Sequence, residues 1–214
     1  MTIIPYAEWC EIPFNRQPSR IALTQPAVWL HHGASGTSSI RTARAYARYH
    51  NSKGWAGIGY SWLVAEGKVL EGRGPGKAGA HTSGHNTRSY GICMVGNYDR
   101  YPPSDADIDA LVWLLEHGHR AGWFAEPKLS GGHRDVGTTA CPGASLYNLI
   151  PTINHKVGEQ VPDMSTPQQP QTPSTSRNID DDLRRIRISL RAIGSALGVP
   201  VDLNGPTDGT TVIT

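Results

Sequence analysis

The sequence predicts a loop-rich α/β domain of about 150 residues followed by a smaller C-terminal appendage. Three observations predict it. The 24 Gly and 16 Pro among 214 residues suit a fold with many turns rather than a helical bundle. Short apolar runs of strand length alternate with stretches whose apolar residues fall at helical spacing. Beyond Val161 the composition shifts to Pro, Gln, Ser and Thr, which cannot bury a core.

The elements follow in order. Residues 3–25 carry few periodic signals and are expected to wrap a surface. Ala27 to His31 is a short apolar run and reads as a central strand. Thr37-Ser38-Ser39 offers N-caps for a helix through Ala43, Ala45, Ala47 and Tyr49, ending near Lys53-Gly54. Ile58 to Ala65 reads as a strand, Glu66-Gly67 as a turn, and Lys68 to Glu71 as the returning hairpin partner. Gly72 to Gly79 is a loop. Its Gly72-Arg73-Gly74-Pro75-Gly76 has no helix after it, which excludes a dinucleotide fingerprint. Tyr90 to Val95 is a buried strand. Ser104 with Asp107 forms a capping box, and Ile108, Leu111, Val112 and Leu115 then fall at helical spacing up to about Gly122. Leu129 to His133 is a short strand, and Ala144 to Ile150 a closing helix.

Composition excludes several function classes. A net charge of +2 without a long basic block gives no footprint for nucleic acid. No apolar run approaches the roughly 18 residues that span a bilayer. Met1 to Glu8 has neither a basic nor an apolar segment of a signal peptide, so the expectation is a protein made soluble in a cytoplasm. Three cysteines do not make a disulfide framework. Cys93 reads as a buried small hydrophobe, and Cys10 has no assigned role.

The chemistry concentrates in Gly131-Gly132-His133-Arg134-Asp135-Val136-Gly137-Thr138-Thr139-Ala140-Cys141-Pro142-Gly143. It sets an imidazole and a thiol eight residues apart. A third candidate ligand lies upstream in Val28-Trp29-Leu30-His31-His32-Gly33, where neighbouring side chains on a strand point to opposite faces, so only one of the two His suits a shared metal. Two His and one Cys are a ligand count that leaves the fourth position of zinc open to water, which points to a zinc hydrolase. No His-Glu-x-x-His segment supplies a glutamate base.

Several motifs in unbroken order over residues 3–153 resemble the peptidoglycan-recognition and type-2 amidase family. They are Ala7-Glu8-Trp9; Trp55 to Arg73 with Gly59-Tyr60 and Glu71-Gly72-Arg73; Gly79-Ala80-His81; Ser89-Tyr90-Gly91-Ile92; Gly132 to Val136; and Cys141-Pro142-Gly143. The resemblance implies a mixed β-sheet flanked by helices and N-acetylmuramoyl-L-alanine amidase activity on bacterial peptidoglycan. It implies His31, His133 and Cys141 as ligands of one zinc ion, and Tyr60 as a catalytic phenol near the metal. Thr139 stands where one branch often carries a catalytic lysine, and Cys93 where another carries a glutamate. His81 and Asn86 match groove positions for substrate contact, and Arg73 and Arg88 could pair with stem-peptide carboxylates. The implied setting is a phage endolysin held in the host cytoplasm until lysis. The alternatives are a cytoplasmic muropeptide-recycling amidase and a non-catalytic peptidoglycan-binding module.

The chain thus divides into a catalytic domain over 1–157, a linker over 158–177, an amphipathic helix over 178–198 and a polar tail over 199–214. In the helix, Ile179, Leu183, Ile186, Leu190, Ile193 and Leu197 follow a heptad seam. Leu at a and Ile at d favour a homo-oligomer larger than a dimer, a trimer or tetramer, through residues 179–197. Arg184, Arg185, Arg187 and Arg191 lie off the seam and suggest contact with an anionic membrane or wall polymer instead. Folding back on the catalytic domain is the third reading.

Overall fold

Ala27–His32 (β2), Trp62–Ala65 (β3) and Ser89–Met94 (β5) are the most continuously apolar segments, and each has a strand on both sides. Burial on both faces is what such runs require. In the computed structural model, which describes residues 1–21 and 26–160, they form the centre of a six-stranded sheet. Its order is β1-β4-β3-β5-β2-β6, completed by Ile3–Ile4 (β1), Lys68–Glu71 (β4) and Gly131–Gly132 (β6). Only the β3–β4 pair is antiparallel, so the sheet is mixed. That pair turns at Glu66 and Gly67, both at positive φ (55° and 66°), the conformation a tight hairpin needs.

Alternation along the strands sorts the core into two layers. Leu30, Trp62, Val64, Ile92 and Met94 face Leu111, Leu114 and Leu115 of Asp105–Arg120 (α3), with Ile153 and Val157 of Ile150–Gln160 (α5). Leu63, Ala65, Cys93 and Val95 face Ala43, Tyr46 and Ala47 of Ile40–Ser52 (α2), with Trp9 of Tyr6–Trp9 (α1). Helices therefore cover both faces of the sheet.

Several sequence expectations are corrected. The first residues do not merely wrap a surface: β1 pairs in parallel with β4 at the sheet edge, and the Trp9 indole N–H donates to the Glu71 carbonyl at 2.8 Å. A strand of two residues is too short to show a period. Residues 58–61 are not strand, because Gly57 at φ 75° turns the chain just before them. The single closing helix is instead a short turn, Ala144–Tyr147 (α4), and the separate α5. The predicted linker beyond Gln160, the heptad helix and the tail lie outside the described residues.

Ser39 caps α2 by accepting from Thr42 N–H, and Ser104 caps α3 by accepting from Asp107 N–H at 3.2 Å. The return half of the predicted capping box is not made. The Asp107 carboxylate, 1% exposed, instead accepts from Ser38 Oγ and from Gly67 N–H, each at 2.8 Å. It ties the entry to α2, the β3–β4 turn and α3 together. Asp107→Ala should therefore lower stability by about 2 kcal/mol, since it strands two donors. Urea denaturation should show a lower midpoint at unchanged slope; a midpoint equal to wild type would contradict the tie.

Candidate active site

β2 lies between parallel neighbours, so its C-terminal end and that of β6 emerge side by side. Register pairs Leu30 with Gly132, and the next residues on the two chains are His31 and His133. Their ring centroids are 4.6 Å apart. After β6 the chain makes a 3-10 turn, His133–Asp135, held by Asp135 Oδ2 accepting from Gly132 N–H at 2.8 Å. Asp135 Oδ1 also accepts from the Tyr147 hydroxyl at 2.6 Å, and Arg134 lies 4.5 Å over the Tyr147 ring. The loop then returns: Arg134 N–H donates to the Cys141 carbonyl at 2.9 Å.

Cys141 Sγ consequently sits 3.7 Å from His31 Nδ1 and accepts from His32 N–H at 3.4 Å. One ligand atom from each of His31, His133 and Cys141 falls within 4.8 Å of the others. His32 is buried elsewhere, its Nδ1 accepting from Tyr98 N–H at 3.2 Å. Strand alternation separates the two histidines as expected.

The chemistry of this donor set fits one metal ion. Burial holds the His31 imidazole well below the usual range, with His81, His133 and His32 adding repulsion. His133 is lowered too, by burial and then by His85. Both rings are therefore neutral near pH 7. Burial pushes the Cys141 thiol up to about 11, against the opposing pull of the His32 N–H and Arg134. Without a cation the site favours thiol over thiolate.

The Tyr60 ring lies 5.5 Å from that of His31. Burial raises its phenol well above 10, and Cys93 and Cys141 add to the shift, so it remains a hydrogen-bond donor. Tyr60 also borders a cavity of about 730 Å³, lined further by Gly33, Arg41, Tyr46, Tyr49 and His50. Thr139 is exposed, and its Oγ1 accepts from Cys141 N–H at 3.2 Å, which shapes the turn that carries the sulfur.

The other expected site residues are distributed differently. His81 is brought against the cluster, with Nδ1 3.1 Å from His31 Nε2. Asn86 is a loop staple: its Oδ1 accepts from the N–H groups of His81 and Thr82 at 2.8 and 2.9 Å. The reading of Arg73 as a free partner for carboxylates is corrected. It is 4% exposed and donates to the Ile58 and Ala78 carbonyls at 2.8 and 2.7 Å. Arg88 is exposed on the loop beyond Asn86. Sequence reasoning missed Arg41, Tyr49 and His50. Arg41, Ala45 and Tyr49 share one face of α2, and this spacing of four was the available signal.

Comparison with known proteins fits this geometry. Residues 23–144 match the family described as N-acetylmuramoyl-L-alanine amidase. The human N-acetylmuramoyl-L-alanine amidase is 34% identical over 163 residues, which is 72% of this chain but only 28% of the human protein. Peptidoglycan-recognition protein SC2 of Drosophila melanogaster is 36% identical over 71% of this chain and 86% of its own length. Peptidoglycan recognition protein LE, solved in complex with tracheal cytotoxin, a monomeric diaminopimelic acid-type peptidoglycan, is 31% identical. It has a TM-score of 0.65 over 70% of this chain and 92% of its own.

Because the metal-free thiol is protonated and both imidazoles are neutral, uptake of one divalent ion should release at least one proton at pH 8. Apparent affinity should rise at least about tenfold per pH unit between about 7 and 9. Calorimetry in buffers of different ionisation enthalpy measures this; release of no proton would exclude Cys141 as a ligand.

Proposed function

The chain belongs to the N-acetylmuramoyl-L-alanine amidase family, and from that premise we propose that it is a zinc hydrolase of bacterial peptidoglycan. It cleaves the amide between N-acetylmuramic acid and L-alanine. The observation that carries this reading is the convergence of His31, His133 and Cys141, which Tyr60 links to the cavity along α2. Two nitrogens and a sulfur suit zinc, whereas magnesium and calcium take oxygen ligands. When bound, zinc polarises a carbonyl and lowers the pKa of water.

The residues of the chain supply the rest. His31, His133 and the Cys141 thiolate hold the ion without cancelling its charge. The groove along α2 receives the polymer; Arg41 and Tyr49 are exposed at its side, which suits a large substrate. Arg41 is placed to meet stem-peptide carboxylates. Tyr60 donates a hydrogen bond to the carbonyl oxygen as negative charge develops there. Burial holds its proton, so it serves as donor rather than base. Thr139, its oxygen already engaged, offers a neutral donor hydrogen where a lysine would bring charge.

A phage endolysin acting on intact wall is the setting we favour over recycling of soluble muropeptides, because the groove is open along α2. Relatives named as recognition proteins favour a second reading, binding without cleavage; the complete ligand set supports cleavage. For the heptad helix over 179–197, we propose assembly into a trimer or tetramer, with contact to an anionic surface as the rival. Light scattering of the full chain against one ending at Gln160 tests it, and a monomer in both would exclude the oligomer.

Purified protein should release new N-terminal alanine from sacculi, and a chelator should abolish this. Cys141→Ser should lose most bound zinc. Tyr60→Phe should lower turnover by about 100-fold while zinc content and sacculus binding stay near wild type. Intact binding with no cleavage at any zinc level would favour the recognition reading instead.

A further inference from the structure

We propose that His81 fixes the tautomer of His31, so that His31 presents its Nδ1 lone pair to the metal. The two rings meet edge-on, with centroids 4.9 Å apart and 74° between their planes. His31 Nε2 lies 3.1 Å from His81 Nδ1, and the residues are 1% and 8% exposed. Between two neutral imidazoles, one nitrogen must donate and the other accept. Two assignments exist, and the surroundings of His81 separate them.

His81 Nε2 faces the backbone carbonyl oxygen of Ser89 at 3.4 Å, and a carbonyl only accepts. Nε2 of His81 therefore carries the hydrogen, and its Nδ1 is a bare acceptor. The proton between the rings then belongs to His31 Nε2. This leaves His31 Nδ1 unprotonated, and that nitrogen lies 3.7 Å from Cys141 Sγ. The opposite assignment sets a His81 lone pair against the Ser89 carbonyl and a hydrogen between His31 and the sulfur. Thr82 Oγ1, 3.0 Å from His81 Nδ1, can turn its hydrogen to suit either arrangement and does not decide between them.

The fold builds a slot for this ring. A Cβ on Gly91 would fall 2.5 Å from His81 Cγ, and one on Gly79 2.2 Å from His81 Cδ2. Both glycines leave the space that the imidazole fills. Asn86 pins the backbone of His81 and Thr82 from the other side. His81 is thus a positioning residue that acts through His31, and it matters to the metal only if His31 is a ligand, the reading proposed above. It differs from a carboxylate in the same role because it is neutral and adds no negative charge. Loss of such a partner typically costs about 10–100-fold in metal affinity.

Long-range proton–nitrogen spectra of the metal-free full chain at pH 8 read the tautomer directly, and His31 is expected in the Nε2–H form. His81→Phe keeps a ring in the slot but offers no acceptor. Its His31 should shift toward the Nδ1–H form, and zinc affinity, read by competition with a chromophoric chelator, should fall about 10–100-fold. His81→Asn, whose Oδ1 falls near the place of Nδ1, should restore most of that affinity. An Nδ1–H form of His31 in the wild type overturns the proposal, as does unchanged affinity in a folded His81→Phe. If His81→Phe does not fold, the wild-type spectrum decides. A wild type with the expected tautomer that takes up no zinc would bear out the tautomer and sink the metal reading instead.

Discussion

β2 is held between two parallel neighbours, and its register with each decides where the candidate ligands lie. Pairing with β6 sets His31 beside His133. Pairing with β5 sets Cys93 opposite His31 and Gly91 opposite Trp29. A slip of one residue would turn His31 to the opposite face and bring His32 forward. β5 is buried throughout and β2 at Val28 and from Leu30 to His32, which opposes such a slip, because each apolar residue would exchange one core layer for the other. The hydrophobic core and the geometry of the site therefore rest on the same strand pairing.

Burial sets the electrostatics of the site as firmly as it sets the packing. Desolvation by burial settles the groups in their neutral forms: imidazoles unprotonated, thiol and phenol protonated. A cation entering here would meet the neutral side chains of His31, His133 and Cys141. The phenol is held as a donor on one side.

The loops are built by contacts in which several expected site residues also serve the framework. Arg73 spends its guanidinium on two carbonyls, and burial lowers it to about 10. Asn86 and Thr139 each use a side-chain oxygen to accept backbone N–H groups, fixing the loops that carry His81 and Cys141. The groove wall comes instead from α2, whose inward residues serve the core while the next face lines the cavity. The cavity wall thus comes from a helix and the His31, His133 and Cys141 cluster from strand ends and a loop.

The sequence by itself determined the α/β class, the central strands, both long helices with their Ser caps, and the three residues His31, His133 and Cys141 that the fold brings together. These are written locally, in apolar periods of two and 3.6 residues and in motifs that a short window contains. Strand alternation also sufficed to separate His31 from His32. Only the tertiary structure decided the edge pairing of β1, the tie made by Asp107, the burial of Arg73 and the contact of His81 with His31. Most of these depend on which polar atom meets another across a long chain separation, 69 residues for Ser38 and Asp107, 50 for His31 and His81 and 109 for His32 and Cys141. A residue's type states that it needs a partner, and a local pattern states that it is buried. Neither states which donor the closed chain will bring to it.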